Sequence, residues 1–298
     1  MWRGRHIAEV RRSDLADLID TIKQRSPAVA RATYAALRGL FSWCVERDLI
    51  VASPCQSITA PPRPEARDRV LADNELAVIW NASDALGYPF GQVVKLLMLT
   101  GQRRAEVANM AWAEVDLDAG TWRIPKERAK NGKAHEVDLS PQAVEVLKTV
   151  KRNGPYLFPA RKAPARTAVP ARAEATAESQ GVRGFSAVKR KLDGEAEALW
   201  QEALAKAKAK HPAPMRPWRM HDLRRSAATG MAAMGFAPHV IERVLNHISG
   251  TQSGLVGVYQ RHEYRAERKA AMLAWGAHIE ALASGQAMPS NVRPLRQA

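Results

Sequence analysis

The sequence predicts a mainly α-helical chain with a small antiparallel β-sheet, divided into two domains. Three observations carry this. Apolar residues recur at spacings of three and four through most of the chain, usually behind a Ser, Asp or Pro start signal. Two short strand-like segments, Thr121–Ile124 and His135–Leu139, flank a polar stretch around Gly132, as in a hairpin. Ser57–Arg69 carries Pro61, Pro62 and Pro64 without periodicity, which is the composition of a linker.

Ser13 reads as an N-cap, and Leu15, Leu18, Ile19 and Ile22 give the first helix its stripe. Ser26 and Pro27 supply a second cap and first-turn proline, and Leu37, Leu40, Phe41, Cys44 and Val45 continue a stripe to about Arg47. Cys44 and Cys55 have no metal or redox spacing and read as buried thiols. A boundary near residue 65 separates a helical domain, 1–64, from a larger one, 65–298. In the second, Asp73 is expected to cap a helix through Leu76, Ile79 and Trp80, and another helix runs from Phe90 to Thr100 until Gly101 stops it. After the strand pair, Ser140 and Pro141 open a helix through Val144 and Leu147, and Tyr156–Phe158 is a further strand candidate. Residues 159–186 are rich in Ala, Pro, Arg and Glu and read as an exposed, mobile insertion. Four helices are expected after it, at about 195–210, 221–234, 238–246 and 263–283.

The 298 residues include 45 Lys+Arg against 30 Asp+Glu, a net charge of +15. Such an excess points to a polyanionic partner, nucleic acid or an anionic membrane surface. The 46% hydrophobic content is enough for a packed core, which excludes a disordered chain or a disulfide-stapled mini-protein. Even the most apolar run, Val93–Thr100, carries Lys95, so no membrane span is expected, and the charged start Trp2-Arg3-Gly4-Arg5-His6 lacks the apolar segment of a secretory signal. A cytoplasmic protein is expected. Residues 151–225 hold 17 Lys+Arg and 7 Asp+Glu, most of the net excess. Lys206, Lys208 and Lys210 read as a solvated run, whereas Arg216, Arg219, Arg224 and Arg225 would repel one another unless an anion sat among them.

Three clusters carry candidate chemistry. In Thr100-Gly101-Gln102-Arg103-Arg104-Ala105-Glu106 a helix ends at glycine and another begins at once, placing Arg103 where a helix N-terminus also favours an anion, with Glu106 one turn on to hold the guanidinium. By itself this also reads as a surface ion pair. In His221-Asp222-Leu223-Arg224-Arg225 the i,i+3 spacing puts an imidazole and a guanidinium on one helix face. No second His or carboxylate stands at metal-ligand spacing, so no metal and no cofactor is expected. In Leu245-Asn246-His247 a histidine ends an apolar helix, where by itself it reads more often as a capping residue than as a catalyst.

Taken in order, Thr-Gly-x-Arg-x-x-Glu, then His-x-Leu-Arg, then Leu-x-His, then a tyrosine, the chain resembles the tyrosine recombinases, or phage integrase family, of prophage and genomic-island type. The ending Val258-Tyr259-Gln260-Arg261-His262-Glu263-Tyr264, followed by Glu267-Arg268 and Trp275, is similar too. The resemblance implies Tyr259 as nucleophile, with Tyr264 a packing residue. It assigns Arg103, His221, Arg224 and His247 to the scissile phosphate and Lys130 to proton transfer, with Lys133 as runner-up. Arg104, Arg219, Arg225 and Lys133 are candidates for other DNA contacts. It further implies a two-domain, C-shaped clamp, a helical core-DNA-binding domain with a catalytic domain, around double-stranded DNA at core attachment sites. Four protomers would assemble on two such sites, with accessory DNA-bending proteins as further partners and a nucleoid-associated location.

The chemistry fits these residue types. A phosphodiester attacked by oxygen gains charge, so fixed cationic forks are needed, and a phenol of unperturbed pKa about 10 needs cationic neighbours or a base. Two departures stand out. Asn246 occupies a place where many relatives have glycine, which is expected to alter a local backbone turn rather than the chemistry. The chain also begins about a dozen residues before its first helix, so a further N-terminal, arm-binding domain of such integrases is expected to be missing. Two rival readings are a type IB topoisomerase and a non-catalytic DNA-binding remnant of a prophage.

Overall fold

The computed structural model describes Trp2 and residues 4–63, 68–129, 131–160, 181–208, 211–247 and 263–285. Residue contacts divide the chain into two compact units, Met1–Asp68 and Arg69–Ala298. Among the described residues it is mainly helical with one three-stranded antiparallel sheet.

In the first unit, α1 (Arg12–Arg25) packs on α2 (Pro27–Glu46). Ser13 is not the cap of α1. The N-cap is Arg11, two residues earlier, and the Asp14 carboxylate at N3 accepts that residue's backbone N–H at 2.9 Å, reaching back from inside the first turn. Ser26 caps α2 as its sequence predicts, its hydroxyl accepting from Val29 N–H with Pro27 in the first turn. Leu15 and Phe41 anchor one small core with Cys55, and Ile19, Ala30 and Tyr34 form another. Leu40 lies about 100° round the helix from Phe41 and is exposed, beside an exposed Trp43 that stacks under Arg47. Part of the expected linker belongs to this unit: the Tyr34 hydroxyl donates to Ile58 O at 2.9 Å, and Arg31 donates to Pro61 O. Both cysteines are buried free thiols, and burial pushes the Cys55 thiol pKa up.

The second unit holds one contiguous core. Its centre is α4 (Phe90–Thr100), buried over most of its surface, which α3 (Asp73–Asp84), α5 (Arg104–Ala108), α6 (Pro141–Lys148), α8 (Met220–Ala233) and α10 (Arg265–Ser284) surround. Asp73 does not cap α3. Ala72 holds that place, with Glu75 accepting its N–H at 2.8 Å, and Asp73 instead meets His278 of α10 at 3.1 Å. The sheet pairs β1 (Val115–Asp116) with β2 (Thr121–Ile124), and β2 with β3 (His135–Asp138). Its register sets Trp122 opposite Val137 and Ile124 opposite His135, all four buried, while Arg123 faces Glu136 on the other side.

Two sequence expectations are corrected here. Tyr156–Phe158 is no strand; Tyr156 makes an isolated bridge to Ala111. And α7 (Phe185–Lys206) starts about ten residues earlier than expected, inside the stretch read as an insertion, because Leu192 and Ala196 bury against the core and α7 packs on α3. Pro159 and Gly181 bridge each other, closing the ends of that stretch; the mobility expected for it falls on residues outside those described.

The last helix locks the arrangement. Trp275 of α10 is 1% exposed and donates from Nε1 to Met98 O of α4 at 2.7 Å. Gly230 of α8 permits this, since a Cβ there would come within 2.2 Å of the Trp275 ring. No helix among the described residues is long and apolar enough to cross a membrane.

Candidate active site

The site is built where α4 ends, α5 and α8 begin and α9 (Pro238–Val244) stops. Gly101 ends α4 with φ 62°, the left-handed conformation that favours glycine, and a Cβ there would press on the Leu245 side chain at 3.0 Å. Arg103 follows as the N-cap of α5. Glu106, 3% exposed, accepts the Arg103 backbone N–H at 2.9 Å through one oxygen and its guanidinium at 2.9 Å through the other. The other terminal nitrogen, Nη2, donates to Asn246 O at 3.2 Å. With only five residues, α5 has little dipole to offer, so the positive charge here is that of the side chain.

Arg224 enters from α8. It is 7% exposed, donates to Gly101 O at 2.9 Å and to Leu245 O, and makes no ion pair among the described residues. Burial and the neighbouring Arg103 pull its pKa down to about 10, still well above neutrality. The expected four-arginine cluster is not what forms. Arg225 turns to Asp222 at 2.6 Å, while Arg216 and Arg219 are exposed.

What brings the two guanidiniums together is the end of α9. It closes in a Schellman arrangement: Asn246 N–H donates to Arg243 O at 3.2 Å and His247 N–H to Glu242 O at 2.9 Å, with Asn246 at φ 48°. Successive carbonyls then face inward. Val244 O accepts from Gln102 at 2.8 Å and from His135 at 3.1 Å, Leu245 O from Arg224, and Asn246 O from Arg103. Two cations therefore sit on adjacent peptide units. His135 is pushed down to about 4, chiefly by burial, so it is the neutral ring that donates to Val244 O.

His221 is exposed at the first turn of α8, and its pKa is lowered by partial burial and by Arg224, Arg225 and Arg103. It shares a cleft of about 580 Å³ with Arg224, Arg104 and Arg219. Arg104 stacks over Phe185 at 5.0 Å and Lys189 over Trp218 at 4.0 Å along the same cleft. A second cleft, of about 390 Å³, brings His247 together with Asn246, Asn131 and Lys133. Lys130 and Tyr259 lie outside the described residues. Tyr264, described, packs its ring on His239 at 4.5 Å between centroids.

Sequence reasoning passed over Gln102, His135, Asn131 and Asn246 as site residues. His135 had a readable signal, since in a strand it shares a face with the apolar Val137. Asn246 is the clearer correction. It takes the left-handed backbone that glycine adopts freely, and its side chain pairs with Asn131.

Two guanidiniums seated on adjacent peptide units, with His221 near them, are chemically suited to receive an anion, and the fold that holds them points to a class. The model of the phage integrase family matches residues 69–265, and the chain belongs to that family. Among relatives, prophage integrase IntA of Escherichia coli K12 is 26% identical over 202 residues, 67% of this chain and 41% of that protein. Prophage integrase IntZ of the same organism is 23% identical over 292 residues, 96% of this chain and 64% of that protein. The chain thus spans less than two thirds of the length of either. A solved structure, lambda integrase (75–356) as a dimer bound to a COC′ core site, matches with TM-score 0.55 and 17% identity over 82% of this chain and 81% of that one, which shows the shared fold.

Proposed function

We propose that the chain is a site-specific DNA recombinase that cleaves and rejoins strands through a 3′-phosphotyrosine intermediate, integrating or excising a mobile element. The observation that carries this is the seating of Arg103 and Arg224 on adjacent carbonyls of one helix end, which supports their remaining N–H groups acting on one phosphate. Tyr259 attacks phosphorus, the bond to the 5′-oxygen breaks, and the phosphodiester's energy is kept in the new ester. His221, its pKa lowered, is neutral at pH 7 and accepts the phenolic proton. Lys130, with Lys133 as alternative, gives a proton to the leaving 5′-oxygen, and His247 donates to a phosphate oxygen. A 5′-hydroxyl from a second strand reverses the step. Glu106 holds Arg103 in place, and Arg104, Arg219 and Arg225 contact DNA backbone and position the duplex.

Double-stranded DNA is the proposed partner, and residues 1–64 with 65–298 the core-binding and catalytic domains. One structural neighbour is described as a lambda integrase tetramer bound to a Holliday junction, which supports an analogous four-protomer assembly here. The test incubates the chain, in the presence of a metal chelator, with a nicked duplex selected from a randomised pool by covalent capture. A covalent adduct, two-site recombination and no single-site relaxation are expected. Relaxation of supercoils without recombination would favour a topoisomerase, and no adduct a non-catalytic DNA-binding protein.

A further inference from the structure

Asn246 stands at a junction of the proposed machinery. Its carbonyl receives Arg103, its left-handed backbone sets where His247 leaves α9, and its side-chain amide pairs with that of Asn131. The pairing is reciprocal: Asn131 Nδ2 donates to Asn246 Oδ1 at 2.5 Å, and Asn246 Nδ2 to Asn131 Oδ1 at 3.3 Å. Asn131 lies in the loop between β2 and β3, 115 residues away in sequence, and follows Lys130 directly. Its Oδ1 also accepts the Lys133 N–H at 3.2 Å. On the other side of Lys130 the chain is held as well, since Arg128 pairs with Glu114 and donates to Glu106 O at 3.2 Å, and Ala129 is buried.

We infer that the Asn131–Asn246 amide pair is a positioning latch, which fixes the lysine-bearing β2–β3 loop to the phosphate cradle so that proton donor and arginines are presented together. Asn246 is thus a positioning residue acting through the loop's lysine, and not itself a group that meets the phosphate. A doubly hydrogen-bonded amide pair has directionality that a glycine at 246 could not supply, and the αL backbone explains why asparagine fits there without strain beyond its ordinary tolerance. The inference rests on the reading of Lys130 or Lys133 as proton source.

The test measures single-turnover cleavage of the captured duplex in two forms, one normal and one with sulfur replacing the bridging 5′-oxygen. A thiol of pKa about 8.5 leaves as thiolate and needs no proton donor, so only defects in proton delivery are relieved by it. Asn246→Gly keeps the left-handed backbone while removing the amide. It is expected to slow cleavage of the normal duplex about five- to tenfold, the effect of a net hydrogen bond or slightly more, and to cleave the sulfur duplex at the wild-type rate. Asn131→Ala should match it, and the double variant should be no worse than either single one. Unchanged cleavage of the normal duplex by Asn246→Gly, or equal slowing on both duplexes, overturns the latch. Lys130→Ala and Lys133→Ala separate this from the underlying reading. If sulfur rescues one of them but not Asn246→Gly, the lysine's role stands and the latch falls; if it rescues neither, the lysine's role falls and the latch with it.

Discussion

The starts of α5 and α8 are built alike and used differently. Each has an arginine as N-cap, Arg103 or Arg219, and an acid three residues on, Glu106 or Asp222, that accepts the arginine's backbone N–H at 2.9 and 2.8 Å respectively. In the first, the cap acid also grips the side chain of the cap arginine itself. In the second, it grips Arg225, Arg219 points out, and Arg224 turns inward onto backbone carbonyls without an ion pair among the described residues. The difference teaches where the uncompensated charge lies. Arg103 carries its counter-charge in direct contact, whereas Arg224 is a buried cation hydrogen-bonded to carbonyl dipoles, with Glu106 acting on it only as a weaker, through-space charge, and a buried cation of that kind is stabilised by an incoming anion.

The largest effects should come from breaking that asymmetry at its charged ends. Arg224→Lys cannot span Gly101 O and Leu245 O as a fork does, and should slow cleavage by ~10²–10³. Arg103→Lys keeps the Glu106 ion pair and should slow it less, by about tenfold to a hundredfold. Comparable losses for the two, measured by single-turnover cleavage, would dissolve the distinction.

Stability against acid probes the common support beneath both arginines. His135 is held neutral, with its pKa at about 4, while in the unfolded chain it titrates near 6.5. Between those values the unfolded chain binds the extra proton, so stability is lost as pH falls from 6.5 towards 4, by about 3 kcal/mol in all. Denaturant melts at several pH values should show this loss, and His135→Gln, which keeps a donor for Val244 O but cannot titrate, should flatten it.

Next in size are the two cap acids. Glu106→Gln should slow cleavage about tenfold by loosening Arg103, while Asp222→Asn should alter cleavage within about threefold and instead cost ~1 kcal/mol of stability through the α8 cap. Smallest of all, Arg104→Ala and Arg219→Ala should each leave the rate of the bound complex unchanged and reduce the salt slope of DNA affinity by about one unit, which filter binding at several salt concentrations reads directly.

Much of this was legible in the sequence. The turn at Gly101, the capped starts of α2 and α6 and the hairpin around Gly132 follow from local rules, because a φ of 62° or an orphaned first-turn N–H is satisfied by residues a few positions away. The order of the four motifs carried the family. What was hidden depends on distant partners. No spacing rule tells that the carbonyls of Leu245 and Asn246 receive Arg224 and Arg103 from 21 and 143 residues away, or that Asn246 finds Asn131. The early start of α7 was missed for the same reason: its polar surface hides the turns that Leu192 and Ala196 bury in the core. Leu40 erred the other way, apolar in sequence and exposed in the fold.

Tyr259 is the proposed nucleophile for a phosphate bound by Arg103 and Arg224. The most direct test of that role is mass spectrometry of the adduct trapped on a nicked duplex by the wild-type chain, by Tyr259→Phe and by Tyr264→Phe. The account predicts a DNA-linked peptide containing Tyr259 in the wild type, no adduct with Tyr259→Phe, and an adduct with Tyr264→Phe. An adduct that survives Tyr259→Phe and is lost with Tyr264→Phe would contradict it.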